Sequence, residues 1–201
     1  MLRVGLTGGL ASGKSFVGHA LRDLGCYLIE ADELGHQVLL PGAEAYSAVI
    51  ATFGSEIVDQ DGFIDRHKLA DIVFGEPELL AKLNSLVHPP VFQRQEKAIA
   101  EIAHRDPAAI VVVEAAILVE TGSYKRFDRL IVVVCRPEQQ LERAMKRGAY
   151  TEEEVRARLS RQLPLEEKVR VADYVIDTSG PKEHTLEQVR ALHSSLRSLS
   201  T

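Results

Sequence analysis

Eight consecutive residues, Gly8-Gly9-Leu10-Ala11-Ser12-Gly13-Lys14-Ser15, have the spacing G-x-x-x-x-G-K-[ST]. That spacing suits the capture of a nucleotide's phosphates. Gly8 and Gly13 permit backbone turns that a Cβ obstructs. Successive N–H groups then converge on one point, Lys14 reaches the β- and γ-phosphate oxygens, and the Ser15 hydroxyl becomes a ligand for Mg²⁺. The flanking segments fit the same purpose. Leu2–Thr7 reads as a short, mostly apolar strand, and Phe16, Val17, Ala20, Leu21 and Leu24 recur at helical spacing. A strand, a glycine-rich turn and a helix aim the positive end of the helix dipole at an anion. The candidate nucleotide contacts are therefore Gly9, Leu10, Ala11, Ser12, Gly13, Lys14, Ser15 and Phe16.

Further side chains could complete a phosphoryl-transfer site. Asp32 ends a second apparent strand, Tyr27-Leu28-Ile29 running into Glu30-Ala31-Asp32, which is expected to lie beside the first. A carboxylate there can orient an acceptor hydroxyl and take its proton, and the bland alternative is a helix cap. Glu114 ends a third strand after an apolar run, the position of an acid that holds a metal ion or its water shell. Arg143 and Arg147, spaced i, i+4, share one helix face and could neutralise charge on a transferring group. His88, at an expected helix break, is open between packing and contact with an acceptor. The other histidines show no metal-ligand spacing.

The elements that must position these groups form an α/β pattern. Ala109–Glu114, Arg129–Cys135 and Ala172–Ile176 join the first two strands, and their continuous apolar character indicates strands covered on both faces. The expectation is a five-stranded parallel sheet of P-loop kinase type in one domain spanning residues 1–201, with its site at the carboxyl ends of the strands. Between strands two and three the pattern predicts four or five helices: one split at Pro41-Gly42, one capped by Asp65 and carrying Leu69 through Phe74, one opening at Glu76-Pro77, and another beginning at Val91 after a break at His88-Pro89-Pro90. This helical insertion, about residues 33–105, is too long for a simple crossover and reads as an acceptor-binding part. A lid of about residues 137–170 is expected as two charged helices, Glu138–Arg147 and Glu152 to about Arg170, the second capped by Thr151.

A length of 201 residues with 45% hydrophobic and 26% charged residues is that of one well-buried domain. The formal charge of −5 argues against a general nucleic-acid binder. No apolar run reaches membrane-spanning length, and strand and phosphate loop begin too early for a signal peptide. Cys26 and Cys135 read as buried reduced thiols, so a cytoplasmic location is expected, with no membrane partner. Oligomeric state is open. No Asn-Lys-x-Asp segment for reading guanine is present, and the small size with an arginine-bearing lid suits a small-molecule kinase.

Over nearly its whole length the chain resembles the dephospho-CoA kinase family. The matching segments are Gly5–Gly9 running into Ser12–Ser15, Ala31-Asp32 with His36, Gly62-Phe63-Ile64-Asp65-Arg66 with Leu69 and Phe74, His88-Pro89, Ile117-Leu118-Val119-Glu120, then Arg143, Arg147 and Gln162, and Ala172-Asp173. The resemblance implies transfer of the ATP γ-phosphoryl to the ribose 3′-hydroxyl of dephospho-CoA, with Mg²⁺ as cofactor. Asp32 would be the base or orienting group, Lys14 and the loop amides would hold the phosphates, and Ser15 with Glu114 would serve the metal. Arg143 and Arg147 would close from the lid, and Asp32, Arg66 and His88 would meet the acceptor. Three positions depart from the family's usual pattern: Glu30 where an Asp is common, Ala116 where a Pro is common, and Thr178 where an Asn is common. Two rivals make other predictions. A kinase for a nucleoside, nucleotide or shikimate-like acceptor would prefer those acceptors, and a nucleotide-sensing switch would show no acceptor-dependent ADP formation.

Overall fold

The computed structural model describes residues 1–73, 75–146, 151–160 and 162–200, with the Arg158 side chain left out. Five strands form one sheet in the order β2-β3-β1-β4-β5, every pair parallel. They are β1 (Leu2–Gly8), β2 (Tyr27–Glu30), β3 (Ile110–Glu114), β4 (Arg129–Val134) and β5 (Tyr174–Asp177). The helices are α1 (Lys14–Asp23), α2 (Ala31–Gln37), α3 (Tyr46–Phe53), α4 (Arg66–Val73), α5 (Pro77–Arg105), α6 (Pro137–Lys146), α7 (Glu152–Leu159), α8 (Leu165–Val169) and α9 (Lys182–Leu199). The expected five-stranded parallel α/β architecture is present, with one correction. β2 does not lie beside β1, because β3 pairs with both and stands between them.

The chain divides into two compact units, Met1–Glu30 with Glu101–Thr201, and Ala31–Ala100. In the first, alternate strand residues build a core on one sheet face. Leu2, Val4 and Leu6 meet Ile110, Val112, Ile131 and Val133, and are covered by Val17 and Leu21 of α1 and Val189, Leu192 and Leu196 of α9. Opposite, Gly5 is a close approach, since an added Cβ would stand 3.0 Å from Phe127 and 3.1 Å from Leu118. Cys26 and Cys135 are buried free thiols, and burial pushes Cys26 up to about 11.

The second unit packs Val38, Val49, Phe53, Ile57, Ile64, Leu69 and Val91 together. A two-point Arg94–Glu44 pair, at 2.9 and 2.7 Å, ties α5 to the segment before α3 and holds the Glu44 carboxyl below its usual range. Asp65 caps α4 as expected, accepting from the His67 and Lys68 amides. Phe74 lies outside the described residues. Two helix boundaries differ from expectation. The chain does not break at His88-Pro89-Pro90, because α5 runs on through both prolines. Proline withholds an amide and crowds the preceding turn, but Leu83, Leu86, Val87 and Val91 keep one face packed on both sides of the pair. Conversely, the helix expected from Glu152 to Arg170 ends at Leu159 and restarts at Leu165, with Pro164 at the N-cap of α8.

Candidate active site

In the first unit the carboxyl ends of β1, β3, β4 and β5 carry the groups that matter. Gly8 ends β1 at a point where an added Cβ would run into the Val133 carbonyl oxygen. Gly13 has φ +94 and faces Thr178 at 3.3 Å, so a side chain there meets both strain and crowding. It also offers no side-chain cap to α1, leaving the first-turn donors of that helix for an anion. Lys14 Nζ lies over the loop itself, 3.1 Å from the Gly9 carbonyl oxygen and 3.4 Å from that of Gly8.

The Ser15 hydroxyl donates to Glu114 Oε1 at 2.9 Å. Glu114 is buried at the end of β3, level with Leu6 on one side and Glu30 on the other. Gly18 makes room for it, since a Cβ there would come within 3.1 Å of Glu114 Oε2. This pairing fits a hard cation, because it offers a hydroxyl and a carboxylate oxygen together beside the phosphate loop. Among the described residues no group of three or more His, Cys, Asp or Glu side chains could hold a metal ion. An ion at Ser15 would therefore take its other ligands from phosphates and water.

The loop apex is fastened from two directions. Gln162 Oε1 accepts from the Leu10 amide at 2.9 Å, and Gln140 Nε2 donates to the Leu10 carbonyl at 3.0 Å. Leu10 and Ala11 also pack with Leu141 and Ala144 of α6 and Val155 and Leu159 of α7. Ala11 is held at φ +54, a left-handed conformation uncommon outside glycine.

Arg143 is placed on Thr178. Its Nη1 donates to Thr178 Oγ1 at 3.0 Å and its Nη2 to the Thr178 carbonyl at 2.7 Å. The same hydroxyl donates to the Ser12 carbonyl at 2.7 Å, so Thr178 joins α6 to the phosphate loop. The Ala116 carbonyl accepts from Thr7 Oγ1 and Lys168 Nζ, both at 3.2 Å. Glu30 is exposed and stands 3.7 Å from His19.

Of the expected site residues, Gly9 to Phe16, Glu114 and Arg143 belong to this unit. Arg147 lies outside the described residues. Asp32, Arg66 and His88 belong to the second unit. Asp32 does not end β2, since the strand stops at Glu30 and Asp32 is an exposed residue in the first turn of α2. Arg66 opens α4 and is exposed. His88 sits within α5, half-buried with its ring 6.0 Å from that of Phe92, and burial holds its imidazole below the ordinary value. Gln140 and Lys168 carried no signal in the sequence, because one polar residue on an amphipathic face is indistinguishable from surface until its partner, 130 or 48 residues away, is known.

A phosphate loop on a parallel sheet, an acid on the neighbouring strand and an arginine from the following helix define a P-loop phosphotransferase. Residues 2–183 match the family model described as dephospho-CoA kinase. A dephospho-CoA kinase from Aquifex aeolicus is 44% identical over 98% of both chains, and one from Carboxydothermus hydrogenoformans is 45% identical over 92% of this chain and 90% of its own. The crystal structure of TT1252 from Thermus thermophilus superposes with a TM-score of 0.80 at 32% identity, covering 98% of this chain and 97% of that one. The chain belongs to the dephospho-CoA kinase family.

Proposed function

We infer that this chain transfers the γ-phosphoryl group of ATP to the ribose 3′-hydroxyl of dephospho-CoA, giving coenzyme A and ADP, the last step of coenzyme A synthesis. The observation that carries this reading is a near full-length family match on a chain whose Lys14, Ser15 and Glu114 converge on one phosphate loop.

In the proposed reaction the loop amides from Gly9 to Phe16 and the Lys14 ammonium hold the β- and γ-phosphates. Asp32 orients the acceptor hydroxyl and accepts its proton as that oxygen attacks the γ-phosphorus in line. The bond from phosphorus to the β–γ bridging oxygen breaks, and ADP leaves with the electron pair. Arg143 and Arg147, from a lid of about residues 137–170, offset charge on the transferring group. Arg143 must exchange Thr178 for phosphate to do so. Arg66 and His88 contact the acceptor from the insertion of about residues 33–105 within a single domain. Transfer from ATP calls for a divalent cation. Mg²⁺, held through Ser15 and, directly or through water, Glu114, would supply charge neutralisation at the β- and γ-oxygens.

Among the described residues no helix is long and apolar enough to cross a membrane. With the acidic balance of the chain, this supports a cytoplasmic enzyme without a nucleic-acid partner. The deciding experiment is ADP production with dephospho-CoA, AMP, adenosine and shikimate as acceptors, with and without Mg²⁺. Dephospho-CoA is expected to be turned over fastest and only with the metal. Faster turnover of AMP, adenosine or shikimate overturns the assignment.

A further inference from the structure

Two segments that match the family, Ile117–Glu120 and Gln162, have no part in the phosphate chemistry described above, and the structure joins them. Lys168, in α8, is fully buried. Its Nζ lies 2.5 Å from Glu120 Oε1 and donates to the Ala116 carbonyl at 3.2 Å. Glu120 Oε1 also accepts from the Leu163 amide at 3.3 Å. One residue earlier, Gln162 accepts from the Leu10 amide at the loop apex. We propose that Glu120 and Lys168 are a positioning couple for the nucleotide site, fixing the Gln162–Leu163 peptide so that Gln162 holds the phosphate loop in its binding shape.

Stability alone does not account for the couple. Burying an ammonium and a carboxylate costs more solvation than most pairs return, and an apolar pair of similar size usually stabilises a fold at least as well. The pair does bring a carboxylate oxygen that can serve two donors at once, Lys168 Nζ and the Leu163 amide. The loop has a corresponding need. Ala11 sits at φ +54, and such a conformation persists only where its surroundings hold it. Gln162 and Gln140 supply that hold by taking both polar groups of Leu10. The inference rests on the nucleotide-binding reading of the loop.

The test is ADP affinity by calorimetry, set against the melting temperature of the nucleotide-free protein. Gln162→Ala is expected to weaken ADP binding about tenfold, the scale of a hydrogen bond lost from a donor left in place. The paired variant Glu120→Leu/Lys168→Met is expected to melt no lower than wild type yet bind ADP about tenfold more weakly. Adding Gln162→Ala to it should produce no further loss, because both act through one contact. Glu120→Asp, which keeps the buried charge but draws the shared carboxylate oxygen back from Leu163, should also weaken ADP binding, and it serves if the paired variant does not fold. Wild-type ADP affinity in the paired variant or in Glu120→Asp, or losses that multiply in the triple variant, overturns the proposal. Absence of ADP binding by the wild-type chain would instead overturn the nucleotide-binding reading.

Discussion

Thr178 shows how much one hydroxyl can organise. It is buried, donates to the Ser12 carbonyl and accepts from Arg143. Thr178→Val keeps the shape and removes both contacts, leaving a buried carbonyl and a guanidinium each short of a partner. The expected result is an ATP KM raised about tenfold, with a smaller change in kcat, measured by steady-state kinetics. Asp32→Asn should behave in the opposite way. In the proposed mechanism it removes the proton acceptor while leaving the nucleotide's binding groups in place, so kcat should fall by about two orders of magnitude or more while the ATP KM moves less than about threefold. An unchanged kcat would remove Asp32 from the mechanism. Lys14→Ala should damage both parameters, since in the proposed mechanism its ammonium serves bound nucleotide and transition state alike. The roles of these residues differ in legibility for a physical reason. The phosphate loop is readable because a backbone that presents its amides inward needs glycine where a Cβ would strike Val133 or Thr178. Thr178, Gln140 and Lys168 act through contacts 166, 130 and 48 residues distant, and no local pattern encodes such a partner.

At the scale of elements, the first turn of α7 is a small self-contained structure. The Thr151 hydroxyl accepts from the Glu154 amide, and Glu154 reaches back to the Thr151 amide at 2.7 Å. The Thr151 cap was legible, because a threonine just ahead of a helical pattern marks a helix start locally, and the return contact from Glu154 is what the structure adds. Thr151→Ala should cost about 1 kcal/mol of local stability. Hydrogen exchange of the α7 amides should then accelerate roughly fivefold, while amides in β1 and β3 stay unchanged. Equal acceleration throughout the sheet would mean that α7 does not open on its own. The prolines were the opposite case. Pro164 interrupts a helix that the charge pattern alone extended to Arg170, whereas Pro89 and Pro90 are carried inside α5. Local chemistry is the same at both places, and packing decides between them. α5 has Leu83, Leu86, Val87 and Val91 anchored around its prolines, while Leu163, next to Pro164, is exposed.

For the molecule as a whole, sheet composition was readable from continuous apolar runs, but strand order was not. A long helical excursion between β2 and β3 gives no local sign that β3 returns between β2 and β1. Dependence on pH is likewise a property of the whole chain, and its sign follows from two histidines. Burial holds His88 below its ordinary value of 6.5, and burial with the Arg197 charge does the same for His193. The folded chain therefore takes up these protons at lower pH than the unfolded chain does. Around and below pH 6.5 the unfolded state binds more protons, so stability is fully present above that value and is lost as pH falls through the folded-state values. Glu44, Asp65 and Glu142, each held below the usual carboxylate range by its partners, titrate further into acid and leave this window to the histidines. The melting temperature should thus be lower at about pH 5.5 than at about pH 7.5, by roughly 2–4 °C for each 1 kcal/mol lost in a chain of this size. His193→Gln, on α9 and outside the proposed site, should flatten that dependence without altering kcat at pH 7.5. His88→Gln should flatten it as well, and should also raise the KM for dephospho-CoA if the ring meets the acceptor. A pH slope unchanged in both variants would show that neither imidazole carries the effect.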